Sequence, residues 1–208
     1  MKLSLKPVVA ALVIAAPSFA FAAEYVVDSG HSSASFSVKH MMVANVRGSF
    51  SKVTGTANID EKDISKSTVE AVIDATTVNT NEPKRDEHLR SADFFDTAQF
   101  PTITFKSTQV KKAGKDKLKV SGDLTLHGVT RPVVLDVEGF TAEAKDPWGN
   151  TKRGGVATTK INRKDFGLGW NKVLESGGVA VGEEVSITID LELNKKQAPA
   201  PAAAQETK

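Results

Sequence analysis

The sequence has 208 residues, no cysteine, 27 basic and 25 acidic residues, and a formal net charge of +2. Two of the basic residues, Lys2 and Lys6, lie in the first 22 residues, which hold no acidic residue, so the rest of the chain is formally neutral. A neutral chain argues against nucleic acid as a partner and against tight electrostatic docking on anionic membranes, and a chain without cysteine has no disulfides.

The first 22 residues have the order of a secretory signal peptide. Lys2 and Lys6 precede the apolar stretch 8–16, which is followed by Pro17 and the small-residue site Ala20-Phe21-Ala22. The apolar stretch is about nine residues long, whereas a membrane-spanning helix needs about 20. We therefore predict cleavage after Ala22 and export to a bacterial periplasm, as a protein that does not span the membrane.

The chain after this segment alternates apolar and polar residues, which indicates β-strands rather than helices. One face of each strand is apolar, and the other is polar or mixed. The alternation predicts eight or nine antiparallel strands, which include residues 34–42, 46–59, 69–75, 102–106, 117–126, 133–137 and 185–193.

One segment breaks the alternation and predicts a short helix near residues 83–92. It has a Thr or Asn residue as a possible cap, Pro83 in the first turn and acidic residues early. Two interpretations stay open. In one, the helix only closes a barrel end, with Asp86 paired to Arg90. In the other, Arg85 or Arg90 borders the barrel mouth together with His88 and contacts a polar ligand head group.

Two further segments are predicted to form turns, and the end of the chain is predicted to be a tail. Residues 127–132 predict a hairpin turn with Gly128 in a left-handed conformation. Residues 146–150 predict a turn whose Trp148 would cover a barrel end. Residues 195–208 lack aromatic and β-branched apolar residues, so we predict a disordered Ala/Pro-rich tail after a single domain at 23–194.

Long antiparallel strands with almost no helical crossovers leave a closed barrel or a two-sheet sandwich as the architecture. Strands of about ten residues favour the barrel. An eight-stranded barrel either fills its interior with side chains or keeps room for one ligand, and composition alone leaves both open. If a cavity exists, the apolar faces predict that its wall, which would be the binding surface for an apolar ligand, includes Phe36, Val38, Ile73, Phe105, Leu124, Leu126, Leu135 and Ile189.

Several motifs closely resemble the YceI family of periplasmic polyisoprenoid-binding proteins, in the right order and spacing over residues 24–193. The matching segments are 31–36, 38–40, 85–96, 100–105, 122–133, 146–149 and 165–166. The resemblance implies an all-β, eight-stranded antiparallel lipocalin-like barrel whose apolar pore takes an isoprenoid chain, of a quinone or a prenyl phosphate. It also makes a homodimer plausible.

Catalytic motifs are missing from the sequence. It has no cysteine nucleophile, no Gly-x-Ser-x-Gly elbow, no phosphate-binding glycine loop and no His-Glu-x-x-His site, and its four histidines share no short ligand spacing. We therefore predict a protein that is not an enzyme and has no metal and no cofactor. Two functions remain: a carrier or store of lipid, or a periplasmic interaction module with a filled barrel and contact loops such as 146–155.

Overall fold

The computed structural model describes residues 22–140, 142–175 and 177–197, and it is built almost wholly from strands. The single α-helix in this part of the chain is α1, Pro83–Arg90. The strands in chain order are β1 Ala23–Val27, β2 Ser33–His40, β3 Ala44–Phe50, β4 Val53–Ile59, β5 Thr68–Asp74, β6 Val78–Asn79, β7 Thr102–Gly114, β8 Lys117–Leu126, β9 Val129–Glu138, β10 Ala144–Lys145, β11 Thr151–Asn162 and β12 Val181–Lys195.

The strands occupy eight positions around a barrel, because three positions are each shared by two consecutive strands. The end of β12 pairs with β1, and its middle pairs with β2 on the same edge. In the same way, β3 pairs with β2 while β4 pairs with β1. Strands β5 and β6 share the third position, beside β4 and β3. Single strands β7, β8, β9, β11 and β12 fill the other five positions.

The barrel closes through β11, which pairs with β9 on one side and with β12 on the other. All the pairings are antiparallel, and together they join the eight positions into a closed ring. This confirms the predicted eight-stranded antiparallel barrel with one short helix. The alternation had not marked β11 as a strand, because its inward face mixes arginine, glycine and threonine with few apolar residues.

The turn between β8 and β9 confirms the predicted left-handed Gly128, but it takes up only the first two of the predicted residues 127–132, because β9 begins at Val129. His127 and Gly128 have φ angles of 52° and 71°, so both central residues of this two-residue hairpin are left-handed. A Cβ atom at position 128 would lie 2.5 Å from the Phe100 ring. Glycine is therefore required there for space as well as for its backbone freedom.

Helix α1 begins at Pro83 as predicted, but its capping residue and its end differ from the prediction. Its N-cap is Glu82, whose carboxylate accepts hydrogen bonds from the N–H groups of Lys84 and Arg85, and it ends at Arg90. The predicted pair of Asp86 with Arg90 is wrong. Asp86 is buried and instead accepts hydrogen bonds from the N–H and the hydroxyl of Thr80, which lies just after β6.

The two barrel ends differ. Helix α1, the β2–β3 turn and residues 163–175 and 177–180 lie at one end, while β1 begins and β12 finishes at the other. Trp148 belongs to the second end, but its side chain is 84% exposed, so the prediction that it covers a barrel end is wrong. Only residues 146–150 of the predicted contact loop are a turn, because β11 begins at Thr151.

The predicted signal peptide, apart from Ala22, and the tail after Gln197 lie outside the described residues. Strand β12 continues to Lys195, the first residue of the predicted tail. Within the described residues, no helix combines the length and the hydrophobicity that crossing a bilayer requires.

Candidate functional site: an apolar cavity inside the barrel

The barrel encloses a cavity of about 320 Å³, which falls in the usual range for small-molecule sites of about 300–1,000 Å³. Its wall comes from the inward faces of all eight strand positions, as period-two alternation requires, and from α1 and the segments that follow it. All eight residues predicted for the wall line this cavity: Phe36, Val38, Ile73, Phe105, Leu124, Leu126, Leu135 and Ile189.

The end of the barrel far from α1 is closed by a buried polar network. Tyr25 is fully buried, and its hydroxyl donates a hydrogen bond to Glu143 at 2.5 Å. The Arg153 guanidinium lies 5.7 Å from the Tyr25 ring centre and 5.1 Å from that of Phe140, and it forms a 2.6 Å ion pair with Glu61. Burial raises the pKa of Tyr25, so its hydroxyl stays protonated and remains a donor.

The cavity opens at the α1 end. His40, an exposed residue at the end of β2, is part of its wall, as are Trp170 and Val181. Arg163 is buried at this end and donates hydrogen bonds to the carbonyls of Gly182, Leu168 and Val181. Burial lowers the pKa of this guanidinium, but an arginine side chain stays charged in proteins. The mouth therefore has a fixed positive charge.

Arg85 gives the mouth a second guanidinium. Its Nε donates to the Thr80 hydroxyl at 2.7 Å and its Nη2 to the Thr80 carbonyl at 3.0 Å, while its side chain lines the cavity. Within the described residues, no carboxylate lies within 4.0 Å of this guanidinium and no partner is found for Nη1. Arg85 can therefore offer donors to a ligand, and its contact with a head group stays a prediction.

His88 also lines the cavity, where it packs in an aromatic cluster at the mouth. Its ring stands edge-on to Phe94 and to Trp170, with centre distances of 5.0 Å to each. The Nε2 atom lies 2.8 Å from Asp93, which fixes the ring orientation. This contact occupies one ring nitrogen, so His88 has a structural role whether or not it meets a ligand.

Arg90, the third predicted head-group residue, is not among the described residues that line the cavity. Its Nη1 donates to the Val78 carbonyl at 3.3 Å, which ties the end of α1 to β6. The helix thus turns Arg85 and His88 toward the cavity and Arg90 away from it. The position of Arg90 follows from helical geometry, since it lies five residues from Arg85 and two from His88.

The ionisable side chains of the cavity wall are all of basic type and lie at one end. Among the described residues of the wall, the ionisable side chains are His40, Arg85, His88 and Arg163, and none is Asp or Glu. These four lie toward the α1 end, and the rest of the wall is almost wholly apolar. The arrangement suits an elongated apolar molecule with a polar or anionic end at the mouth.

The cluster of Asp28, His31 and Glu192 lies apart from the cavity and brings together three side chains of metal-binding type. However, the Lys152 ammonium lies 3.0 Å from Asp28 and 2.5 Å from Glu192. The hydrogen bond from Lys152, followed by that from His31, lowers the pKa of Asp28. The lysine already supplies the positive charge that these carboxylates require. The cluster is therefore a structural ion-pair network that joins β11, β12 and the β1–β2 junction.

The sequence interpretation missed the polar residues that define the two cavity ends. Arg153 lies in β11 at the same side-chain parity as the cavity-lining residues Ala157 and Ile161, and Arg163, the residue after β11, continues this parity. Extending the period of two from Ile161 would have placed one arginine at each end of the inward face. Tyr25 gave no such signal, because its partners Glu143 and Arg153 are more than 100 residues away.

Comparison with known proteins agrees with this geometry. The family model for the YceI-like domain matches residues 25–193. A UPF0312 protein of Vibrio parahaemolyticus is 42% identical over 170 residues, which cover 81% of this chain and 89% of the relative. The crystal structure of a Campylobacter jejuni YceI protein matches with a TM-score of 0.64 at 30% identity, over 76% of this chain and 90% of that one.

A third match is a polyisoprenoid-binding domain from Saccharophagus degradans, implicated in plant cell wall breakdown. It matches with a TM-score of 0.60 at 20% identity, over 84% of this chain and 99% of that one, which shows a shared fold. The fold and the cavity define a lipocalin-like barrel. The chain belongs to the YceI family, and this confirms the resemblance seen in the sequence motifs.

Proposed function

We propose that this protein binds a polyisoprenoid, or a similar long-chain lipid, in its barrel and carries or stores it without changing it chemically. The observation that carries the proposal is the apolar cavity, closed at one end by Tyr25 and Arg153 and open beside Arg85. Burial of apolar surface contributes about 0.8 kcal/mol per CH₂ group, so each isoprene unit inside adds to the affinity.

The polar end of such a lipid needs water or donors, because an unsatisfied buried polar group costs about 1–3 kcal/mol. Arg85 lies at the mouth, and among the described residues its Nη1 has no hydrogen-bond partner and its guanidinium has no carboxylate within 4.0 Å. A phosphate head group fits this site better than an uncharged one, and a quinone carbonyl would accept the same hydrogen bonds. A prenyl phosphate or a quinone is therefore the ligand that we propose.

Two comparisons support a binding role rather than a catalytic one. The family model describes a domain of YceI type, and a structural neighbour is named for polyisoprenoid binding. We place the protein in the periplasm because residues 1–22 have the sequence order of a secretory signal peptide. That the protein forms a homodimer remains a prediction. The alternative, an interaction module with a filled barrel, is disfavoured because the interior holds a cavity of about 320 Å³.

The test is organic extraction of the protein purified from its native compartment, followed by mass spectrometry of the extract. The proposal expects one isoprenoid lipid in close to equimolar amount. Washing the protein with detergent before extraction controls for lipid adsorbed on the surface. An extract without a stoichiometric long-chain lipid, from protein that also fails to bind added prenyl phosphate, would favour the interaction module.

A further inference from the structure

A patch of exposed apolar side chains lies beside the mouth of the cavity. Met41, Met42 and Val43 are 42%, 55% and 81% exposed in the β2–β3 turn, and Val173 is 85% exposed in the segment before β12. The two segments touch, since the Met41 N–H donates to the Ala180 carbonyl at 2.8 Å. We call these four residues the mouth patch.

The backbone of the turn makes these side chains unexpected. Met41 and Met42 have φ angles of 51° and 61°, so the hairpin has two consecutive left-handed residues. Such turns strongly prefer Asn and Gly, and a bulky residue in this conformation is strained. Neither methionine is buried, so burial of their side chains does not offset this strain. Folding alone therefore does not explain why large apolar residues stand here.

The position of the mouth patch distinguishes it from the other exposed apolar residues. His40 precedes the turn and Val181 follows the second segment, and both line the cavity. The remaining large apolar residues on the surface are spread over other strands and ends, with Trp148 at the closed end. Contiguous apolar surface beside a binding site marks an interaction surface, whereas scattered residues require no explanation.

The charges around the patch indicate what covers it. The two segments, residues 39–45 and 170–181, contain Lys39 and Lys172 and a single acidic residue, Glu175. Both lysines are exposed, and neither forms a salt bridge within the described residues. Exposed methionine and valine flanked by unpaired lysines match the interface of a bilayer that contains anionic lipids.

We propose that the mouth patch docks the protein on the surface of an anionic lipid bilayer, with the cavity opening toward the membrane. An apolar ligand then passes between bilayer and cavity without crossing water. Docking depends mainly on shallow insertion of four side chains, so it is weak and reversible, in keeping with a chain that is neutral outside residues 1–22. The inference goes beyond the proposed function, since docking does not require that the cavity be filled.

Flotation with vesicles tests the proposal. The protein, stripped of bound lipid, is mixed with vesicles of phosphatidylcholine alone or of phosphatidylcholine with phosphatidylglycerol. The triple variant Met42→Ser, Val43→Ser, Val173→Ser is compared with Trp148→Ser, which removes an equally exposed apolar side chain at the other end. The proposal expects wild type and Trp148→Ser to float with the mixed vesicles, and the triple variant to bind about tenfold or more weakly.

A second variant, Lys39→Glu with Lys172→Glu, keeps the apolar side chains and reverses the two charges. Its binding should fall for the vesicles with phosphatidylglycerol and change little for phosphatidylcholine alone. Wild type that floats with neither kind of vesicle, or a folded triple variant that floats as wild type does, would overturn the proposal. So would a wild-type dimer that the triple variant converts to a monomer in light scattering, because a second copy would then cover the patch.

Discussion

Thr80 and Asp86 form a two-point contact that fixes α1 over the open end of the barrel. The Thr80 N–H and hydroxyl both donate to one carboxylate oxygen of Asp86, at 2.8 and 2.5 Å. The same threonine accepts from Arg85 through both its hydroxyl and its carbonyl oxygen. Position and orientation of the cavity-lining arginine therefore depend on a buried carboxylate that never meets the cavity.

The substitution Asp86→Ala should destabilise the protein by about 1–3 kcal/mol, because it leaves the buried donors of Thr80 without an acceptor. Urea unfolding followed by tryptophan fluorescence measures this change. Glu87→Ala, which removes the adjacent exposed carboxylate of the same helix, should change stability by less than about 0.5 kcal/mol. Equal losses of stability in both variants would mean that Asp86 contributes only as a negative charge on the helix and not through its hydrogen bonds with Thr80.

Arg85 and Arg90 give a matched pair for testing the head-group site, since only the first lines the cavity. Arg85→Ala should weaken binding of a prenyl phosphate by about 1.5–3 kcal/mol, the scale of a charge-assisted hydrogen bond, and barely affect the prenyl alcohol. Arg90→Ala should affect neither ligand by more than about 0.5 kcal/mol. Isothermal titration checks this, and equal losses of both ligands in Arg85→Ala would assign Arg85 a purely structural role.

The apolar wall is tested by placing a charge in it. Leu124→Asp should abolish lipid binding and cost several kcal/mol of stability, because an unpaired carboxylate would enter an apolar interior. Thr125→Asp places the same charge on the next residue, whose hydroxyl contacts Thr130 on the outer face, and should leave binding intact. A folded Leu124→Asp protein with normal binding would remove Leu124 from the site.

The ion pairs of Asp28 predict a dependence of stability on pH. The hydrogen bond from Lys152, then that from His31, lowers the pKa of Asp28 below its unfolded value of about 3.9. Its contribution to stability is therefore complete above about pH 5 and is lost as the pH falls through about 4 toward the lower folded pKa.

Asp28→Asn should thus reduce the free energy of unfolding by about 1–3 kcal/mol at pH 7, and the difference from wild type should shrink on acidification. Urea titrations at several pH values provide the measurement. Asp123→Asn, which neutralises an exposed carboxylate without a salt bridge in the described residues, should show no such trend. A constant difference for Asp28→Asn across this pH range would contradict the assignment.

The sequence was informative wherever one strand carried its own pattern. The alternation from Leu118 to Leu126 placed Leu124 and Leu126 on the inward face, and the structure puts both in the cavity wall. The His127-Gly128 turn likewise depends on two adjacent residues. Such features are local, so a single sequence suffices to predict them.

Contacts between distant segments were less predictable. The spacing of Asp86 and Arg90 suggested an ion pair within the helix, but Thr80 is a better partner because it is held at a buried position where it can donate twice. The closed barrel end combines Tyr25 with Arg153, from β1 and β11, which only the barrel topology brings together. The size of Trp148 suggested that its side chain covers a barrel end, but the side chain faces solvent.

Native mass spectrometry of intact complexes tests the central claim, a lipid held inside the barrel, most directly. Ala71 lines the cavity from β5, and Ala71→Phe would fill part of the space with an apolar ring rather than remove a contact. We expect wild type mixed with a prenyl phosphate to carry one lipid per chain, and folded Ala71→Phe to carry little or none. One lipid on both proteins would place the ligand outside the cavity and contradict the account.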